Sequence, residues 1–295
     1  MSVLDRMRAK MAEQGLDAFL VTQNENRRYL SGFMGSAGAL LITPTEQYLA
    51  TDTRYYERVK QEAKDWTLIE ASYKTFEALG GVVEKIGLSG AKVGIEADHL
   101  TVAQYKDVQK KIENLTFVET QEFVLDLRAI KTESELAAIR TAIALTDSAM
   151  LHAYEWIKPG MTEREINWEL EVYMRTRGAT SLSFEMIVAA GPNGASPHAV
   201  SSDYAVQDGD AIVIDMGCVN DGYVSDLTRS FCLGQPKDED YLKVWEVVRQ
   251  ANENAIANIR PGMTSKDADA LARDVITAAG YGVTVTARAN TPALA

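Results

Sequence analysis

IKPGMTEREINWELEVYMRTRG (157–178) and IRPGMTSKDADALARDVITAAG (259–280) are two copies of one pattern, offset by 102 residues. Each runs from a Pro-Gly turn into a helical stretch of equal length and ends on a glycine, Gly178 or Gly280, suited to a left-handed stop. A long amphipathic segment precedes each turn. The six-residue motif and the downstream glycine keep the same register, which chance recurrence of a turn does not explain. Two copies of helix, turn, helix and strand point to a pseudo-two-fold domain.

Between the copies lie SFEMIVAAGPNGASPHAV (183–200) and DGDAIVIDMGCVNDGYVSDLTRSFCLG (208–234). The second segment has the pattern of a β-hairpin: AIVIDM, a turn on Asn220-Asp221 or Asp221-Gly222, then YVSDLTRSF. With the turn on Asn220-Asp221, Asp215 and Asp226 are directly opposite, with Cβ atoms about 5 Å apart. Moving the turn by one residue makes them diagonal on the same face. Ile212, Ile214, Leu227 and Phe231 share the other, core-like face, while Thr228 and Ser230 accompany the aspartates.

Two carboxylates so close repel, and a divalent cation between them removes the penalty. The competing reading is one turn-capping aspartate and one solvated aspartate, a common arrangement near turns. Spacing alone leaves both open. His198, in a Gly/Pro/Asn loop, is likewise either a surface histidine or a functional one.

Outward from this region, the chain before about residue 124 alternates short apolar runs with helical patterns. Leu4, Met7 and Met11 fall on one helical face, and LDAFLV (16–21) is a strand. GALLIT and QYLAT make a hairpin around Pro44 and Thr45, and further helix–strand alternation continues to LTFVE. The segment from about Glu122 to Lys131 is the candidate linker, dividing the chain into domains at 1–124 and 131–295. Beyond it, Thr132 or Ser134 caps a long amphipathic helix with Glu135 in its first turn.

The 295 residues carry 30 basic and 42 acidic side chains, a net charge of −12 that argues against nucleic acid or an anionic membrane as a partner. No apolar run reaches the roughly 18 residues of a membrane span, and MSVLDRMRAK lacks the apolar core of a secretion signal, so a cytoplasmic location is expected. Cys218 and Cys232 are too few for a disulfide framework and are expected to be reduced core residues. Only three histidines occur, His99, His152 and His198.

LRAIKTESELAAIRTA (127–142), IKPGMTEREI, the SFEMIVAAGPNGASPH loop, VIDMG (213–217) and SDLTRSF (225–231) resemble the creatinase/prolidase/aminopeptidase P family of pita-bread metallopeptidases. GLDAFLV, NRRYLSGFMGSAGALLIT and TDTRYYERV resemble that family's N-terminal domain, and together the match covers nearly all of residues 3–282. The resemblance implies an α/β creatinase-like N-terminal domain followed by an α+β pita-bread catalytic domain. It implies hydrolysis of the peptide bond before proline, in a proline-containing peptide or dipeptide, by two divalent ions such as manganese, cobalt or zinc. Asp215 matches the first aspartate ligand, Asp226 the aspartate that bridges both ions, and His198 the histidine beside the substrate. Thr228 matches the support of the bridging carboxylate. Family members often form homodimers.

One departure accompanies the match. The family pattern continues with a histidine ligand and two glutamate ligands, but no histidine comes after His198 and no glutamate after Glu253. Only two of the five ligands that the resemblance implies are present. VTVTARANTPALA (283–295) does not continue the pattern, so the chain is expected to be a C-terminally truncated or frame-shifted member, incomplete in its second domain and impaired in turnover. The alternative is a pita-bread domain that serves as a non-catalytic protein-interaction module.

Overall fold

The computed structural model describes residues 2–281, which divide into two compact units between Lys131 and Thr132. The first unit contains, in order, α1 (Val3–Glu13), β1 (Ala18–Val21), α2 (Asn24–Ser31), β2 (Ala39–Ile42), β3 (Gln47–Thr51), α3 (Tyr56–Glu62), β4 (Thr67–Glu70), α4 (Thr75–Lys85), β5 (Lys92–Glu96), α5 (Val102–Lys111), β6 (Thr116–Thr120) and α6 (Phe123–Ala129). Its six strands form one mixed sheet in the order β4-β3-β2-β1-β5-β6.

AFLV and ALLI are apolar at every position because both sheet faces are covered, the condition under which strands lose the alternation of a half-exposed sheet. Phe19, Val21, Leu40 and Ile42 pack on one face with Met7, Met11 and Phe33. Ala18, Leu20, Leu41 and Ala50 pack on the other with Leu79, Val83 and Val108.

The expected linker is instead structured. FVLDLRA forms α6, whose Phe123 and Val124 are buried in the first unit's core. Phe123 lies 4.5 Å from the Phe19 ring centroid, and Lys10 Nζ sits over its ring and donates to its carbonyl. Burial of two apolar side chains outweighs the polar, linker-like composition of the neighbouring residues. The chain leaves the unit at Ile130, which is extended, and Thr132 then restarts a helix through a capping box with Glu135.

The second unit contains α7 (Glu133–Trp156), α8 (Glu163–Thr176), β7 (Ser181–Leu182), β8 (Ile187–Ala190), a 3-10 turn (Gly191–Ala195), β9 (Ala211–Met216), β10 (Cys218–Asn220), β11 (Tyr223–Val224), β12 (Leu227–Cys232), α9 (Glu239–Asn258) and α10 (Ser265–Ala278). Both repeat copies take the same form: α8 and α10 each span 14 residues, capped by Thr162 with Glu165 and by Thr264 with Asp267. Gly160 and Gly262 have φ of 94° and 92°, and Gly178 and Gly280 have 115° and 90°, conformations that a side chain would strain. The strand expected to close the second copy, and the 283–295 tail, lie outside the described residues.

The hairpin is divided between two small sheets. β9 is the centre of one, ordered β12-β9-β8, and β10 is the centre of the other, ordered β11-β10-β7. The chain passes between them at Gly217, where a Cβ would stand 2.1 Å from the Ser225 carbonyl oxygen and 2.2 Å from Ser183 Oγ. Only glycine fits so close an approach. Ile212, Ile214 and Met216 face the core against α7 and α8. Cys218 is buried beneath α7, accepting from Thr146 Oγ1, whereas Cys232 ends β12 and is half-buried, so only one of the two cysteines is a core residue.

Candidate active site

The turn falls on Asp221-Gly222, with Asn220 paired to Tyr223 and Val219 to Val224. Asp221 and Gly222 both have positive φ, 45° and 70°, the condition of a type I′ turn, and glycine fills the second central position without strain. The register continues into β9 and β12, where Thr228 stands opposite Asp215 and Leu227 opposite Met216. Asp226 therefore meets Gly217 and is diagonal to Asp215. In a regular antiparallel pair such neighbours sit about 7–8 Å apart rather than the roughly 5 Å of a direct pair.

Asp215 lies on the central strand, flanked by Thr228 on β12 and Ile187 on β8. Directly opposed residues share a face, so these three side chains stand together. Thr228 Oγ1 donates to Asp215 Oδ1 at 2.7 Å. The hydroxyl that the family resemblance assigns to the support of Asp226 supports Asp215 here, because the observed register sets Thr228 directly opposite Asp215.

The electrostatics of the pair differ from those of the unit's other acids. Glu163, fully buried, accepts four hydrogen bonds, from Ala190 N, Asn193 Nδ2, Ser202 N and Ser202 Oγ. Asp210 is buried beside Lys237 at 2.6 Å and accepts from Tyr204 and Gln207. Burial pushes its carboxyl up, but Lys237 and those donors outweigh that and hold it below its ordinary range. Half-buried Asp215 has Thr228 alone, and among the described residues no hydrogen bond or ion pair reaches the exposed Asp226. Two uncompensated carboxylates on one face present hard oxygen donors to a cation.

That donor set fits part of a metal centre. Among the described residues no group of three or more His, Cys, Asp or Glu is placed to hold an ion, so Asp215 and Asp226 stand as a pair of candidate donors without a third.

His198 is exposed and lines a cleft of about 500 Å3 together with Arg164, Trp168, Glu185, Ile187 and Val200. Ile187 is Asp215's partner across the β8–β9 pair. The cleft thus opens beside the strand that carries Asp215. The sequence points to Asp215, Asp226, Thr228 and His198 but not to Glu163, Asn193 and Ser202, which hold the His198 loop. One signal for them exists: in the second copy the position of Glu163 is Ser265, although the capping residues around it match.

The metallopeptidase family M24 pattern matches residues 137–289, and the creatinase/prolidase N-terminal domain pattern matches residues 4–130. This chain belongs to metallopeptidase family M24. It is 38% identical over 279 residues to an uncharacterised peptidase of Bacillus subtilis, covering 95% of this chain and 78% of that protein. It is 32% identical to an Xaa-Pro dipeptidase of Pyrococcus horikoshii, covering 92% of this chain and 75% of the relative. Among solved structures, an Xaa-Pro dipeptidase from Bacillus anthracis superposes with a TM-score of 0.89 at 35% identity, covering 95% of this chain and 78% of that one. The prolidase from Pyrococcus horikoshii superposes at 0.85 and 31% identity, covering 95% and 79%.

The fold is therefore a creatinase-type N-terminal domain followed by a pita-bread domain, and the M24 family is one of enzymes, metal-dependent hydrolases of peptides. No helix among the described residues is long and apolar enough to cross a membrane.

Proposed function

We propose that this M24 chain is built for hydrolysis of the peptide bond preceding proline, with Asp215 and Asp226 as ligands of two divalent ions and His198 beside the substrate. The observation that carries the reading is the uncompensated Asp215–Asp226 pair on the sheet face beside the His198 cleft. When bound, manganese, cobalt or zinc ions would supply Lewis acidity at the scissile carbonyl and a more acidic water. The chain's own residues orient and enclose. Thr228 fixes the Asp215 carboxylate by donating to Oδ1, and among the described residues no hydrogen bond engages Oδ2. The cleft wall of Ile187, Trp168 and Val200 offers apolar surface to a proline ring, and His198 offers a ring nitrogen to the substrate's carbonyl oxygen. A cytoplasmic location and a homodimer accompany this reading.

A second reading, a non-catalytic interaction module, is favoured by one observation: no third ligand accompanies the two aspartates among the described residues. Metal content by mass spectrometry, with assays on Ala-Pro and Ala-Pro-Ala, separates the two. Bound divalent metal with release of alanine supports the peptidase. Neither metal nor turnover leaves the interaction module.

A further inference from the structure

Glu163 is the first residue of α8 and is fully buried, yet among the described residues no cation pairs with it. Its charge is met by four donors. Oε1 accepts from Ala190 N at 2.7 Å, and Oε2 accepts from Asn193 Nδ2 at 2.8 Å and from Ser202 N and Oγ, both at 2.7 Å. A carboxylate at the positive end of a helix, with charge-assisted bonds to every donor, is a stable way to bury an acid.

The donors are not scattered. Ala190 ends β8, Asn193 sits in the 3-10 turn and Ser202 lies beyond His198, so one carboxylate grips both ends of the 191–202 loop. Asn193 Nδ2 also donates to Val200 O at 3.1 Å, two residues from His198. A second tie comes from the same helix: Asn167 Nδ2 donates to Ser201 Oγ at 3.0 Å, and Ser201 Oγ accepts from Val188 N.

The repeat separates this role from helix capping. In both copies threonine is the cap and an acid three residues later closes the box, so neither helix needs an acid at its first position. The second copy has exposed Ser265 there. The acid occurs only in the copy whose helix faces the histidine loop.

We propose that Glu163 is a positioning residue: it touches no substrate but holds loop 191–202 by both ends and so keeps His198 at the cleft. Its functional weight rests on the role proposed for His198.

Glu163→Gln tests it. The amide oxygen can keep the three donors of Oε2, but the amide NH2 then faces Ala190 N–H, donor against donor. Hydrogen exchange of the 191–202 amides is expected to rise about tenfold or more while α7, β9 and β12 keep their protection. In a sample labelled with 15N-histidine, the His198 ring is expected to give more than one environment, and His99 and His152 to stay unchanged. Exchange rising in step across the whole second unit, or a loop as protected as in the wild type, overturns the proposal. Should Glu163→Gln fail to fold, Asn193→Ala removes the bonds to Glu163 and to Val200 O and leaves the carboxylate three donors. It is expected to raise exchange near 197–202 alone, and a global or absent change again overturns the role. Absence of Xaa-Pro turnover by the wild type would remove the peptidase reading without altering the exchange result.

Discussion

Thr228 donates its hydroxyl to Asp215 across the β9–β12 pair at 2.7 Å. The bond fixes one carboxylate oxygen and, in the proposed metal site, leaves the other for the ion. Thr228→Val keeps the side-chain shape and deletes the donor. Divalent-ion affinity is expected to fall about tenfold, the low end of the range for residues that orient a metal ligand, because Thr228 is exposed and water competes. Thr228→Ser should retain most of it. Titration of both variants with Mn2+ checks this, and equal affinity in Val and Ser variants would remove the role.

Gly217 marks where the hairpin crosses between its two sheets, and a Cβ there meets the Ser225 carbonyl at 2.1 Å. Backbone cannot retreat as a flexible side chain can. Gly217→Ala is expected to cost about 3 kcal/mol, the upper part of the usual cost of overpacking. Urea unfolding is the measurement; a loss below about 1 kcal/mol would mean the crossing tolerates a methyl group.

Phe123 anchors α6 into the first unit's core against Phe19. Phe123→Ala is expected to destabilise that unit by about 3–5 kcal/mol. Were residues 122–131 a free linker, the same change would leave the urea midpoint where it was.

Much of the fold is legible in the sequence. The repeat announces α8 and α10 with equal lengths and matching caps, and continuous apolar runs announce buried strands in the first unit. The hairpin register is not settled there, because Asn-Asp and Asp-Gly are both turn dipeptides. The deciding fact is that both central residues of the turn have positive φ, which glycine at the second position meets without strain. The observed register sets Thr228 opposite Asp215, whereas a turn on Asn220-Asp221 would set it opposite Val213. Glu163 is missed for a different reason: an acid in a first helical turn has the same sequence signature whether it faces water or four buried donors, and only its replacement by Ser265 in the second copy sets it apart. The linker is misjudged because FVL is too short a run to show periodicity, and its burial depends on a tertiary partner far back in the chain at Phe19.

Asp210 sets a pH dependence. Its carboxyl is held below the ordinary range by Lys237 and by donors from Tyr204 and Gln207, against the opposing effect of burial. A lowered folded value contributes stability that is present above the unfolded carboxylate pKa of about 4 and is lost as the pH falls through the folded value. Asp210→Asn is therefore expected to be less stable than wild type at neutral pH and to show a flatter decline below about pH 4. Urea midpoints measured from pH 7 down to pH 3 check the sign; parallel curves for the two proteins would contradict it.

The pairing of Asp215 with Asp226 as ion ligands is tested most directly by Mn2+ titration followed by electron paramagnetic resonance, on the wild type and on Asp215→Asn/Asp226→Asn. With two side-chain ligands and solvent filling the rest of the shell, saturable binding near the millimolar range is expected for the wild type. The double variant should lose it while keeping the same circular dichroism and urea midpoint. Mn2+ bound equally by both proteins, or not bound by the wild type at all, would contradict the assignment of these aspartates to a metal centre.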